Sequence, residues 1–219
     1  MDTLSVGMER RAQKAPWVTR WIYKMEAQRL KEYEQRIFNY FEFQTMISQQ
    51  DVHYIAHPDQ RKIHVIPNGI DTDFFHPMKN PESTYDLVFV GNLSYAPNID
   101  AMKWFATHVL RHEPQWRLLI AGANPSSAFI QSLKKYPNID VEGWQPDIRS
   151  AYSKGTIFIA TMQIGTGMQN KLLEAMAMGL PCVTTPLASE ALEVTSGHEL
   201  LVGRTAEELT AHIKYLLNN

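Results

Sequence analysis

Residues 165–185 read GTGMQNKLLEAMAMGLPCVTT, and they hold the strongest chemical signal in the chain. Gly165 and Gly167 precede a helix-forming run that carries Lys171 and, three residues on, Glu174. Backbone N–H groups at a helix start are free, and the helix dipole there favours an anion. A lysine about one turn in adds a point charge. Glu174 falls on roughly the same face, and an ionised carboxylate accepts hydrogen bonds from vicinal hydroxyls such as those of a ribose. The set suits a nucleoside diphosphate held by its pyrophosphate and its sugar. It equally suits an ordinary surface ion pair, and spacing alone does not choose between the two. The loop nearly matches G-x-G-x-x-G, but Asn170 stands at the last glycine and the loop comes late in the chain, which argues against a nicotinamide dinucleotide.

The 219 residues carry 21 Lys and Arg against 23 Asp and Glu, a formal net charge of -2, with 44% hydrophobic content. This is the composition of a globular chain able to bury a sizeable core. No dense Lys/Arg run marks a phosphate track, so nucleic acid is excluded as the main partner. The single Cys182 sits in an apolar run, reads as a small core residue and leaves no disulfide within the chain, which fits a reducing, cytoplasmic setting. No stretch has the length and apolarity of a membrane span. No His, Cys and acidic residues have metal-ligand spacing, and His53, His64 and His198 read as ordinary surface or core residues.

The elements that must position the lysine and glutamate follow from periodicity. Residues 1–15 are polar and read as irregular. Residues 16–41 read as a long helix with Pro16 at its first position, and Trp17, Trp21, Met25, Tyr33, Ile37 and Phe41 recur mostly every fourth residue. That stripe reads as core-facing, with a membrane-surface helix as the alternative. Residues 43–48 and 62–66 read as strands and 49–56 as a short helix. Pro67-Asn68-Gly69 predicts a sharp turn, and 71–82, with its prolines and no period, predicts a linker or domain boundary.

From residue 85 onward, apolar strands alternate with helices. Strands are expected at 86–91, 116–122, 138–144, 156–160, 181–185 and 198–203. Helices are expected at 97–110, 126–136, 146–155, 167–179 and 205–219. Continuous apolar strands separated by helices imply an α/β fold with a doubly wound, parallel, Rossmann-like sheet. Ligands in such sheets bind beyond the carboxyl ends of the strands. Gly91-Asn92, Gly122, Gly143-Trp144 and the loop 161–167 should therefore share one edge.

The segments VIPNGIDTDFFHP, LVFVGNLSYAPNIDAMKWF and GMQNKLLEAMAMGLPCVTT together resemble the C-terminal half of a GT-B fold glycosyltransferase of the group 1, or family 4, type. Residues 9–35, with 92–105, are similar to sugar transferases of bacterial exopolysaccharide clusters. The resemblance spans nearly the whole chain. It implies a retaining transfer from a nucleotide-diphosphate sugar to a sugar or lipid-linked acceptor in polysaccharide or glycoconjugate synthesis. It implies no cofactor and no metal, because cationic side chains and helix dipoles stabilise the leaving diphosphate. Residues 1–76 would be a helical remnant of the acceptor-side domain plus linker, and 77–219 the donor-binding second domain. Lys171 would meet the diphosphate and Glu174 the ribose as the catalytic pair. Gly91, Asn92, Gly122, Gly165, Thr166, Gly167, Met168 and Gln169 would line the donor. Gly143, Trp144 and Gln145 would meet the base, with Trp144 stacking on it.

Two features depart from the family pattern. The family's glutamate pair is spaced E-x7-E, and the partner position of Glu174 holds Thr166. The loop GNLSYAPN carries no Lys or Arg, which leaves Lys171 as the side-chain cation for the diphosphate. By the same pattern both ends of the chain read as cut, and the Trp17 to Phe41 stripe would lie open to self-association, a partner chain or peripheral membrane contact. The rival readings are a donor-binding half that transfers nothing without another polypeptide, and a degenerate fragment with a structural role.

Overall fold

The structure, a computed structural model, describes residues 3–78, 83–165 and 167–219. It divides into two compact units: Met1–Gly69 with Ile164–Gln169 and Glu190–Glu193, and Ile70–Gln163 with Asn170–Ser189 and Val194–Asn219.

The first unit opens with a helical hairpin, α1 (Leu4–Lys14) and α2 (Trp17–Phe38). The irregular start expected from sequence is thus a helix, and tertiary contacts explain it. The buried Glu34 carboxylate accepts from Ser5 N at 3.1 Å and Ser5 Oγ at 2.6 Å, so α2 supplies the anion that α1's first turn favours. Thr3 N donates to Asp51 Oδ1 at 3.1 Å. Pro16 precedes α2 as its N-cap rather than opening it. The face of α2 turned inward carries Ala27, Glu34 and Phe38, while Trp17, Trp21, Met25, Tyr33 and Phe41 are exposed. The four-residue stripe is therefore not the core face; small and buried residues Ala12, Ala15 and Ala27 let the hairpin close instead.

The rest of this unit is β1 (Thr45–Met46), α3 (Gln49–Tyr54) and β2 (His64–Val65), with β1 and β2 paired in parallel. Both strands are shorter than sequence suggests. Ser48 Oγ accepts from Asp51 N and caps α3. Neither Asn68 nor Gly69 takes a positive φ, and no turn forms there. Pro67 holds its own φ and extends Ile66, which overrides the Asn-Gly signal.

The second unit contains a six-stranded sheet: β3 (Tyr85–Val90), β4 (Leu118–Ala121), β5 (Ile139–Glu142), β6 (Gly155–Ala160), β7 (Cys182–Thr184) and β8 (Leu201–Val202). Every neighbouring pair is parallel, in the order β5-β4-β3-β6-β7-β8. The connecting helices are α4 (Ala96–His108), α5 (Ser127–Leu133), α6 (Arg149–Ser153), α7 (Asn170–Ala177) and α8 (Pro186–Ser189), and α9 (Ala206–Leu217) closes the chain. The short α8 and the 3-10 turn at Glu190–Leu192 have no periodic signal in the sequence. Central strands are sealed on both faces: Leu87, Val88, Phe89, Leu118, Leu119, Ile120, Ile157, Phe158 and Ile159 are fully buried, as a covered parallel sheet requires. Cys182 is a buried free thiol, pushed up to about 12 by burial. Before β3, Phe74 lies under the Arg149 guanidinium at 4.1 Å and Phe75 packs edge-on against Tyr152.

Candidate donor site

The strand order reverses between β3 and β6, because the chain leaves β3 towards β4 and β5 and leaves β6 towards β7 and β8. Helices diverge at that point and leave a crevice beyond the strand carboxyl ends. α4 begins after β3 and α7 begins after β6. Pro97 lies in the first turn of α4, as its fixed φ favours. α7 buries Leu172 and Ala175 and stops at Gly179, whose φ is 77°. There Leu180 N donates to Ala175 O and Gly179 N to Met176 O, a Schellman closure.

Lys171 and Glu174 each have one fixed partner. Lys171 Nζ donates to Asn98 Oδ1 at 2.5 Å and stands 5.1 Å from the centroid of the Phe89 ring. Asn98 is itself buried and donates from Nδ2 to Asn92 O at 2.9 Å. Burial lowers the Lys171 ammonium to about 8, against a smaller upward pull from Glu174. Glu174 Oε2 accepts from the hydroxyl of the fully buried Tyr152 at 2.5 Å. Burial and the Glu174 charge hold that phenol far above its usual range, so it remains a donor. A cation and a carboxylate are thus each anchored by a neutral group.

The glycines at the strand ends let backbones approach. Gly122 has φ of 142°, and a Cβ there would lie 1.9 Å from Gly91 O. A Cβ on Gly91 would meet Asn98 Nδ2 at 2.8 Å. Asn92 Oδ1 accepts from Ser94 N and Ser94 Oγ, closing the turn ahead of α4. At the edge strand, Gly143 has open space around it and Trp144 is 71% exposed. Gln145 Nε2 donates to Glu142, whose two carboxylate oxygens also accept from Lys154 Nζ at 2.8 Å each. Gly91, Asn92, Gly122, Gly143, Trp144 and Gln145 thus follow the carboxyl ends of β3, β4 and β5, the edge expected of them.

Gly165, Gly167, Met168 and Gln169 fall in the first unit, and Thr166 lies outside the described residues. Gly165 and Gly167 have φ of 124° and 77°. Gly165 O accepts from Arg10 Nη1 at 2.5 Å, and Arg10 Nη2 donates to Tyr54 OH at 3.1 Å. Arg10, Asn98 and Tyr152 were not legible as site residues. Asn98 and Tyr152 are buried polar groups whose partners lie 73 and 22 residues away, and Arg10 sits in the stretch that reads as irregular. Among the described residues, no group of three or more His, Cys, Asp or Glu is arranged to hold a metal ion. Nor is any helix there long and apolar enough to cross a membrane.

A family model described as glycosyl transferases group 1 matches residues 84–219, the whole of the sheet. The chain belongs to that family. The group 1 chain is similar to an uncharacterized 44.6 kDa protein in the cps region of Klebsiella pneumoniae, 27% identical over 140 residues, which are 58% of this chain and 36% of that protein. Its fold matches that of Anabaena Alr3699/HepE, crystallised with UDP and glucose, with a TM-score of 0.71 at 16% identity over 88% of this chain and 58% of the other. It also matches a glycosyltransferase from Rickettsia africae, TM-score 0.69 at 17% identity over 86% and 56%. A third match is the pneumococcal O-GlcNAc transferase GtfA, crystallised with UDP and GlcNAc, TM-score 0.65 at 16% identity over 87% and 41%. The GT-B glycosyltransferase fold expected from sequence is therefore shown. The chain spans 36% of the curated relative it matches and 58% or less of these solved structures.

Proposed function

We propose that the chain carries the donor side of a sugar transferase that moves a sugar from a nucleotide-diphosphate sugar to a sugar or lipid-linked acceptor, with retention, in polysaccharide or glycoconjugate synthesis. The observation that carries this is the anchored pair on α7 at the switch point, Lys171 on Asn98 and Glu174 on Tyr152. A surface ion pair needs no buried neutral partners; a binding pair does, because they fix each group where a ligand will meet it. Lys171 stabilises the departing diphosphate, with no metal required. One Glu174 oxygen is held by Tyr152, and the other accepts from the ribose. Gly91, Asn92 and Gly122 let the phosphates approach backbone, and Trp144 stacks on the base. The part given to Gly165, Gly167, Met168 and Gln169 rests on their place in the chain just before α7. Residues 77–219 are the donor domain in this reading, and 1–76 the tail of an acceptor-side domain.

Family membership supports the reading, and so do a curated relative from a cps region and fold neighbours crystallised with UDP. Calorimetric titration of the chain with UDP, GDP and ADP tests this reading. Saturable binding of one nucleotide, lost in Lys171→Ala, supports it. Absence of binding by all three argues against a donor site.

A further inference from the structure

We propose that residues 71–77, part of the stretch that reads as a linker, form a positioning arm for the donor site, in which Phe75 holds Glu174 in place through Tyr152. The inference rests on the reading of Glu174 as the group that meets the ribose. Every residue it uses lies in the second unit.

A plain tether makes few contacts. This segment is fastened along its length. Asp71 Oδ1 accepts from Asp73 N and Phe74 N at 3.0 Å each, and Phe75 N donates to Asp71 O at 2.8 Å. The turn sets the Phe74 and Phe75 rings edge to face, 4.9 Å apart. Arg149 of α6 holds Phe74 by backbone and by ring: Nη1 donates to Phe74 O at 3.0 Å, and the guanidinium lies 4.1 Å from the ring centroid. The Asp147 carboxylate accepts from Arg149 Nε at 2.9 Å and Nη2 at 2.7 Å, which fixes the guanidinium plane. Pro77 sits against the stop of α7, where a Cβ on Gly179 would meet Pro77 Cγ at 3.1 Å. That helix carries Lys171 and Glu174.

Phe75 packs edge-on against Tyr152, with centroids 6.3 Å apart and ring planes at 88°, a favourable aromatic geometry. Tyr152 is fully buried, and its hydroxyl donates to Glu174 Oε2 at 2.5 Å. Phe158 of β6 also packs on Tyr152, at 5.5 Å, and is fixed in the sheet core. Phe75 is half-buried and comes from the arm. Loss of its ring leaves the sheet core whole but lets Tyr152 tilt, which swings the hydroxyl that holds Glu174. A binding group needs its support fixed to within about 0.5 Å. Lys171 is anchored separately, on Asn98 and over Phe89. The arm therefore acts on ribose recognition and not on the diphosphate.

The test is calorimetry on the full chain with whichever of UDP, GDP and ADP it prefers, the 2′-deoxy form of that nucleotide, and pyrophosphate. Wild type should prefer the ribonucleotide. Phe75→Ala should cut that preference about threefold or more and leave pyrophosphate affinity unchanged. Phe75→Leu keeps apolar bulk on Tyr152 and should recover most of it. In a Tyr152→Phe background, Phe75→Ala should cut the preference no further, because the route to Glu174 is already gone. A packing loss alone lowers the melting temperature and leaves the preference intact. A preference kept in Phe75→Ala, an equal loss of pyrophosphate affinity, or a full further loss in the Tyr152→Phe background overturns the proposal. A wild type that binds neither nucleotide, or binds both equally, overturns the reading of Glu174 itself and the proposal with it.

Discussion

Asn98 on α4 and Lys171 on α7 are 73 residues apart in sequence and meet with Oδ1 2.5 Å from Nζ, tying together the two helices that follow the switch-point strands. Asn98 holds the ammonium without neutralising it. Asn98→Asp would neutralise it and place a like charge beside an incoming diphosphate, which costs several kcal/mol when unrelieved. The variant is expected to bind UDP, or whichever nucleotide the chain prefers, at least about tenfold more weakly. Its uridine affinity should hardly change. Calorimetry with both ligands reads this, and an equal loss for both would mean that the variant has simply disturbed α4.

Lys171→Ala removes a charged donor worth about 1.5–3 kcal/mol, so nucleoside diphosphate affinity should fall roughly 10- to 150-fold. Nucleoside affinity should barely move. Lys171→Arg keeps the charge but not the compact shape, and should recover part of the loss. If Ala weakens nucleoside and diphosphate alike, Lys171 does not touch phosphate.

Glu174 and Tyr152 divide differently. Glu174→Gln should weaken the nucleoside diphosphate but leave pyrophosphate affinity unchanged, because the carboxylate faces sugar hydroxyls in this reading. Tyr152→Phe leaves Glu174 Oε2 without its buried donor, at a cost of about 1–3 kcal/mol. Melting temperature reads that cost. A positioning role predicts an additional loss of affinity that the 2′-deoxynucleotide shows less than the ribonucleotide. Equal losses for the two sugars would confine Tyr152 to packing.

Much of this was readable in advance, for physical reasons that differ by residue. The strands 86–91, 116–122 and 156–160 are continuous apolar runs, and a run buried on both faces has no other local explanation. Gly179 stops α7 as a glycine after a periodic run should. The lysine and glutamate were visible because their spacing is local. Their partners were not, since Asn98 and Tyr152 act through contacts that only the sheet order creates. The helix α1 was hidden for the same reason: its stabilising anion, Glu34, comes from the next helix. The stripe on α2 misled because a four-residue period reports one face of a helix but not which neighbour that face meets.

Two glycines at the same sheet edge should respond in opposite ways. Gly122 has φ of 142°, and an added Cβ would fall 1.9 Å from Gly91 O, so Gly122→Ala must push the ends of β3 and β4 apart. Backbone against backbone cannot yield cheaply, and a loss above about 3 kcal/mol is expected. Gly143 has no atom within 4 Å of an added Cβ, so Gly143→Ala should stay within about 0.5 kcal/mol of wild type. Thermal melts of both variants check the pair.

The pH dependence of donor binding follows from Lys171, whose ammonium burial lowers to about 8. A diphosphate binds the charged form and holds it charged. Affinity should therefore be level below pH 8 and then fall, by up to tenfold per pH unit, until the higher pKa of the complex is reached. Stability moves the other way. The unfolded lysine titrates near its ordinary 10.5, so between about 8 and 10.5 the unfolded chain holds more protons than the folded one. Stability contributed by this group then rises with pH across that window, because the cost of burying a charge is being relieved. Lys171→Met should remove both slopes together, and Lys171→Arg should remove the fall in affinity while keeping binding. Titrations from pH 7 to 10 on the three proteins decide it, and a fall in affinity that persists in Lys171→Met would assign the proton to another group.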